Sequence, residues 1–227
     1  MKNFLFSILI FSFFSFKSFG HVEHYANFNY LEYELFRNDK LIGYHKYDFK
    51  RDGDKLSISS EVSFKIKKLG VDLYNYFAKS KENYTKGKFE SYSSKTKQNK
   101  KNIFLNIFID SKDGNLIIDG SSYKGKASSE FIVGTWWNHE IIKAKAQISG
   151  ISGRIIDQTV TFIGKEEITI DGKTYKTVHF NFKSSDDTLP DSKKLNTDIW
   201  YEEETYLWVK AAFDKTGYWE YRIKKTN

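Results

Sequence analysis

Hydrophobic and polar positions alternate along most of the chain. Leu31, Tyr33 and Leu35 share one face of an extended segment and Glu32 and Glu34 the other, the period-two pattern of a half-buried strand. Phe28 to Lys50 predicts two such strands joined at Asn38-Asp39-Lys40, and Gly43 in the second marks a bulge or a close crossing. Arg51-Asp52-Gly53-Asp54 is a hairpin signal. Leu56, Ile58, Val62, Phe64 and Ile66 form the next strand, Leu69-Gly70 turns the chain, and Val71 to Tyr84 returns it. Lys86-Gly87-Lys88 then opens a strand around Phe89 and Tyr92 that runs into a polar segment, Ser93 to Asn102. This segment carries Lys95, Lys97, Lys100 and Lys101 without a large apolar residue and is expected to be an exposed hairpin end. Alternation resumes from Ile103 to Ile109, Lys112-Asp113-Gly114-Asn115 turns, and Leu116-Ile117-Ile118 leads into Asp119-Gly120. Consecutive short strands linked by turns point to an up-and-down antiparallel sheet.

Gly134 to Ile142 breaks the pattern. Trp136 and Trp137 are adjacent, no strand alternation runs through them, and Trp137, Ile141, Ala144 and Ile148 fall at i, i+4, i+7 and i+11. With Thr135 as a cap, this spacing predicts a short amphipathic helix over 136–148, stopped by Gly150-Ile151-Ser152-Gly153. Strand chemistry returns with Val160, Phe162, Ile168 and Ile170, a turn at Asp171-Gly172, and Tyr175 to Phe182. Ser184 to Leu195 is a polar loop holding the only proline, Pro190. Thr197 to Glu202, Tyr206 to Phe213 and Tyr218 to Ile223 complete the strands. A sheet of about ten or more strands coils or splits instead of lying flat. The predicted fold is therefore mainly β: a single large curved antiparallel sheet, a half-barrel or open barrel, with one short helix packed in it or capping it.

The first twenty residues change the picture of where the protein works. A positive start at Lys2, an apolar run from Phe4 to Phe16 and the small-residue pattern Ser18-Phe19-Gly20 predict a secretory signal peptide over 1–20, cleaved near Gly20. The expected organisation is that peptide followed by a single β-rich domain over 21–227, periplasmic or secreted, with no integral membrane segment after cleavage. The chain has no cysteine, so its core must hold it without disulfides. Removing Lys2 and Lys17 lowers the formal charge from +7 to +5, a weak attraction to anionic surfaces. Export and the lack of any nucleic-acid-binding motif exclude nucleic acid as an expected partner.

Candidate chemistry is sparse. There is no Gly-x-Ser-x-Gly elbow, no phosphate loop and no dinucleotide fingerprint, and the carboxylate runs Asp186-Asp187 and Glu202-Glu203-Glu204 alternate across strand faces or sit in turns. We expect no catalytic residue, no cofactor and no metal site of the usual kind. The one metal-like pattern is His21-Val22-Glu23-His24 at the new terminus, where an α-amino group and two imidazoles suit square-planar copper. His45, His139 and His179 are isolated and read as polar surface or hydrogen-bonded residues. The aromatic set offers more: Trp136, Trp137, Ile141 and Trp200 are the candidate ligand-binding residues of an apolar groove, with Asn138 and Tyr201 at its mouth. Its ligand would be a lipid, an acyl chain or another amphipathic molecule. The competing expectation is an envelope structural or interaction protein with a packed interior.

Several short pieces carry a family resemblance: Tyr33-Glu34-Leu35-Phe36-Arg37-Asn38-Asp39-Lys40-Leu41-Ile42-Gly43-Tyr44-His45, Asp119-Gly120, Trp136-Trp137-Asn138, Asp198-Ile199-Trp200-Tyr201 and Trp219-Glu220-Tyr221-Arg222. They resemble an exported bacterial family known only as a domain of unknown function. The resemblance implies a curved antiparallel sheet similar to that of periplasmic Lol-type lipoprotein carriers, whose groove holds acyl chains, and it brings no catalytic residues.

Overall fold

A computed structural model describes residues 25–227. The signal-peptide and copper expectations, including His21 and His24, lie outside the described residues. The first eight strands run in a meander: β1 (Tyr30–Arg37), β2 (Lys40–Asp52), β3 (Lys55–Lys68), β4 (Val71–Thr85), β5 (Lys88–Gln98), β6 (Lys101–Ile109), β7 (Leu116–Gly120) and β8 (Lys124–Ala127). The short β9 (Ile132–Val133) follows, then β10 (Ala146–Ile148), β11 (Ile155–Ile170), β12 (Lys173–Ser184), β13 (Asn196–Glu202), β14 (Trp208–Asp214) and β15 (Tyr218–Thr226). All belong to one 15-stranded sheet in the order β8-β7-β6-β5-β4-β3-β2-β1-β15-β14-β13-β12-β11-β10-β9. Pairing is antiparallel throughout except between β9 and β10. The first and last strands are thus partners at the middle, Tyr33 opposite Ile223 and Leu35 opposite Tyr221.

Connectivity forces the curvature. Fifteen flat strands about 4.8 Å apart would separate the two edges by about 67 Å. Yet the edge strands β8 and β9 are joined by residues 128–131 only, a link that reaches at most about 18 Å. The sheet must coil until its edges meet, and its concave face becomes the interior. Leu31, Tyr33 and Leu35 are completely buried on that face, as are Ile199 and Tyr201 of β13 and Ile107 of β6 to within one per cent.

The tight turns follow the residues that named them. Asn38 and Asp39 (φ 48° and 59°) and Asp171-Gly172 (φ 50° and 78°) take the left-handed conformations of two-residue hairpins, whose twist matches that of the flanking strands. Gly43 marks both a bulge and a close crossing: the β1–β2 register shifts beside it, and a Cβ added there would sit 2.0 Å from the Ser63 carbonyl oxygen. Gly43→Ala should therefore destabilise the protein by about 1–3 kcal/mol, the usual range for overpacking, read as a lower denaturant midpoint at unchanged slope.

Two expectations are corrected. The segment 136–148 is not a continuous helix; it holds one 3-10 turn, His139–Ile142, capped by the Asn138 side chain instead of Thr135, and then strand β10. The carbonyls that a helix would have satisfied find another donor, since the Gln158 side-chain amide donates through Nε2 to Ile141 O (2.9 Å) and Ala144 O (3.0 Å). Ala146 to Ile148 instead pair with β11. The helical spacing of Trp137, Ile141 and Ile148 arises because each is buried for its own reason, the first two in the main core and Ile148 in a second cluster with Leu105 and Ile118. Nor is Ser93 to Asn102 only an exposed end: Ser94 and Thr96 are buried on the concave face of β5. Small side chains are needed there because the β10–β11 loop packs against them, the Gly150 carbonyl accepting from Tyr92 Oη (2.9 Å) and Ser94 Oγ (2.7 Å).

Candidate functional site

The chain from Val133 to Asn138 crosses the interior between the two edges of the sheet, and the candidate site is built around it. Trp137 is fully buried and meets the rings of Tyr25, Phe49 and Tyr84 edge to face at 5.6, 5.6 and 5.9 Å. This arrangement places the positive ring edge over a negative ring face. The indole N–H needs an acceptor when buried, and it donates to Glu82 Oε2 at 3.1 Å.

Glu82 is the unusual group of this interior. It lies on β4 among the inward positions Tyr76, Ala78, Ser80 and Tyr84, and it is 3% exposed. Tyr84 Oη donates to its Oε1, Thr135 Oγ1 approaches Oε2 at 3.4 Å, and Asn138 Nδ2 in turn donates to Tyr84 Oη at 3.5 Å. Burial raises its pKa to about 7 because charge is costly away from water, although the donors Tyr84, Trp137 and Thr135 favour the ionised form. A carboxyl whose pKa burial raises in this way, facing a cavity, is a candidate functional group.

Two cavities flank the crossing segment. The first, about 290 Å³, is walled by Phe89, Ile109, Leu116, Phe131 and Ile132 and ends on Glu82, Tyr84 and Asn138. The second, about 210 Å³, lies on the other side of Gly134 and Thr135, against Trp136, Tyr221, Ser94 and Gln147. His45 borders it within a cage of Tyr33, Tyr47, Trp208 and Tyr221 rings. Both His45 ring nitrogens are sealed from solvent without a hydrogen-bond partner, and burial lowers its pKa to about 3, so it is neutral.

The residues singled out from the sequence go to three places. Trp136 is half-buried and lines the second cavity, its ring edge-on to Trp208 (5.2 Å) and Tyr221 (5.3 Å). Trp137 and Ile141 are wholly buried in the main core and wall neither cavity. Trp200 is on the opposite, convex face, stacked on His179 at 4.1 Å, with its N–H on Glu166 Oε1 (2.6 Å) and Lys210 Nζ 4.9 Å from its ring. Asn138 reaches the first cavity, whereas Tyr201 is buried and donates to the Trp136 carbonyl at 3.0 Å. Sequence reasoning missed Glu82 and the placement of His45. The signal for Glu82 was present in strand parity, since it alternates in step with Tyr76 and Tyr84. Among the described residues no three His, Asp or Glu side chains converge as a metal centre would require, and no helix is long and apolar enough to cross a membrane.

No curated protein matches the chain. Among solved structures it is similar to a β-barrel-like protein of the domain of unknown function DUF1849 from Brucella abortus, with a TM-score of 0.59 and 12% identity over 87% of this chain and 96% of that one. At that identity the likeness speaks for the fold: an open, coiled antiparallel sheet with a barrel-like neighbour. Residues 33–224 match the family model described as Domain of unknown function (DUF6134), and the chain belongs to that family.

Proposed function

We propose that the protein is an exported, non-enzymatic binding protein that holds a small amphipathic molecule, such as the end of an acyl chain or lipid, in the cavity that terminates on Glu82. The observation that carries this reading is the contrast within that cavity: apolar walls from Phe89, Ile109, Leu116, Phe131 and Ile132, the buried Glu82 carboxyl with Asn138, and the more exposed Ser129, Glu130 and Glu140. Apolar walls with a few convergent polar groups are the usual composition of a ligand pocket, and about 290 Å³ lies at the small end of the usual size range of roughly 300–1,000 Å³. The volume favours a short chain or a chain end over an entire lipid. The signal-peptide pattern supports a periplasmic or secreted setting, and a curved sheet with a concave interior supports a role in holding a ligand.

Trp137 supplies the reporter, because its indole shares the Glu82 carboxyl with whatever enters. Short-chain fatty alcohols and acids should change the tryptophan emission of the wild type, and Ile132→Trp, which fills the cavity wall, should abolish the change. Native mass spectrometry of protein taken from its own compartment should show a co-purifying small molecule. An emission spectrum indifferent to every such ligand, together with an empty mass spectrum, would leave the packed structural protein as the better reading.

A further inference from the structure

The β3–β4 hairpin extends past its neighbours. Pairing of β2 with β3 begins at Gly43 opposite Phe64, and pairing of β4 with β5 begins at Tyr76 opposite Gln98. Residues 66–74 therefore pair only with one another, from Ile66 opposite Tyr74 to Lys68 opposite Val71. A two-stranded ribbon without a third strand is marginal in water, and this one carries the wrong surface for a free end. Leu69 at its tip is 96% exposed, Val71 62% and Leu73 56%.

The tip residue is also out of place conformationally. Leu69 sits at φ 50°, a left-handed position that asparagine, aspartate and glycine adopt far more readily. The corresponding positions of the other two-residue turns described hold polar residues or glycine: Asn38, Gly53, Lys86, Asn99 and Asp171. A bulky apolar side chain held in a disfavoured backbone conformation and in water gains nothing from the fold itself.

Charge identifies what would cover it. Lys65, Lys67 and Lys68 are exposed on the ribbon, whose one acid, Asp72, pairs with Lys67 at 3.7 Å. At its root Lys97 stands opposite the exposed Phe77 and Lys95 opposite Lys79; Lys79 is neutralised by Glu61 at 3.1 Å, which leaves Lys95 and Lys97 to add to the basic flank. An apolar tip flanked by lysines matches the boundary between headgroups and acyl chains of an anionic bilayer, where leucine and phenylalanine enter the apolar phase and lysines meet lipid phosphates. A soluble polyanion would satisfy the lysines but offers no apolar phase to Leu69, Val71 and Leu73.

We propose that the β3–β4 ribbon is a membrane-docking element that seats Leu69, Val71 and Leu73 in the surface of an anionic lipid bilayer. The test is co-sedimentation of the protein with vesicles of phosphatidylcholine alone and of phosphatidylcholine with 30% (about one lipid in three) phosphatidylglycerol. Binding should be confined to the anionic vesicles and weaken with salt. Leu69→Asn suits the left-handed position, so it should leave the thermal midpoint unchanged or raise it while reducing partition at least about tenfold. Lys65→Glu with Lys68→Glu should reduce it similarly. The proposal is overturned if the wild type ignores anionic vesicles, if it binds neutral ones equally well, or if Leu69→Asn binds as tightly as the wild type. Binding to a soluble polyanion such as heparin without binding to vesicles would overturn it in favour of an acidic polymer.

Discussion

Trp137→Ala is expected to destabilise the protein by about 3–5 kcal/mol, the range for deleting a large aromatic side chain from a packed core. Two losses combine in that figure. The ring removes edge-to-face contacts with Tyr25, Phe49 and Tyr84 at once, and these come from the segment before β1 and from β2 and β4, so the cavity left behind is bounded by elements that cannot all move inward together. The indole N–H is also a donor to the buried Glu82 carboxyl, which then loses one of the groups that make its burial tolerable. Trp137→Phe separates the two, since it keeps most of the ring area and discards the donor; it should cost about 1–2 kcal/mol. Urea denaturation followed by circular dichroism measures both. An unchanged midpoint in Trp137→Ala would mean that the ring does not hold these three elements together.

The pH dependence of stability should expose two buried groups that oppose each other. His45 falls from its ordinary 6.5 to about 3 on burial, so as the solution is acidified below 6.5 the unfolded chain takes up a proton that the folded one refuses, and stability declines towards pH 3. Glu82 rises from 4.5 to about 7, so between those values the folded chain keeps a proton that the unfolded one has released, and stability declines as the pH increases. At about 1.4 kcal/mol per unit, the full effects are on the order of 5 kcal/mol for the histidine and 3 kcal/mol for the carboxyl. Between pH 4.5 and 6.5 the slopes have opposite sign and nearly cancel. Glu82→Gln should then reveal a stability that rises with pH from 3 to 6.5, and His45→Phe one that falls from 4.5 to 7. Subtracting each variant's curve from that of the wild type removes the groups they share. A flat difference for either variant would show that its group is solvated in the folded state. His45→Phe should in addition be more stable near pH 5, because it replaces two unpartnered nitrogens in an aromatic cage with carbon.

Period-two alternation made the sheet readable, because one face of every long strand is sealed against the interior. Leu31, Tyr33 and Leu35 lie on the buried face that their alternation predicts, and the turns at Asn38-Asp39 and Asp171-Gly172 are legible because few residues tolerate their backbone angles. The crossing segment was misread as a helix for a physical reason. Trp137 and Ile141 are buried by strands distant in sequence, and the Gln158 amide, 17 residues beyond Ile141 and 14 beyond Ala144, supplies the hydrogen bonds that local spacing would have assigned to a helix. Trp200 illustrates the limit of composition: as a tryptophan it suggested the groove, but its neighbours Ile199 and Tyr201 take the inward positions and leave it on the convex face. Glu82 was legible by parity yet passed over, since a single carboxylate in a strand is ordinarily solvated. The 290 Å³ cavity beside it depends on how the far edge of the sheet folds back, which no local pattern encodes.

Because β1 and β15 are hydrogen-bonded neighbours, with Leu31 opposite Thr226, the first strand made waits for the last. During synthesis or translocation from the amino end, the leading half would present a long unsatisfied backbone rim until nearly two hundred further residues have followed. Closure over such sequence separations is slow, and exposed rims invite self-association. The same topology predicts that chains truncated before β15 will aggregate instead of yielding a smaller stable half, and that helper proteins shielding that rim will matter most in the interval before the final strand docks.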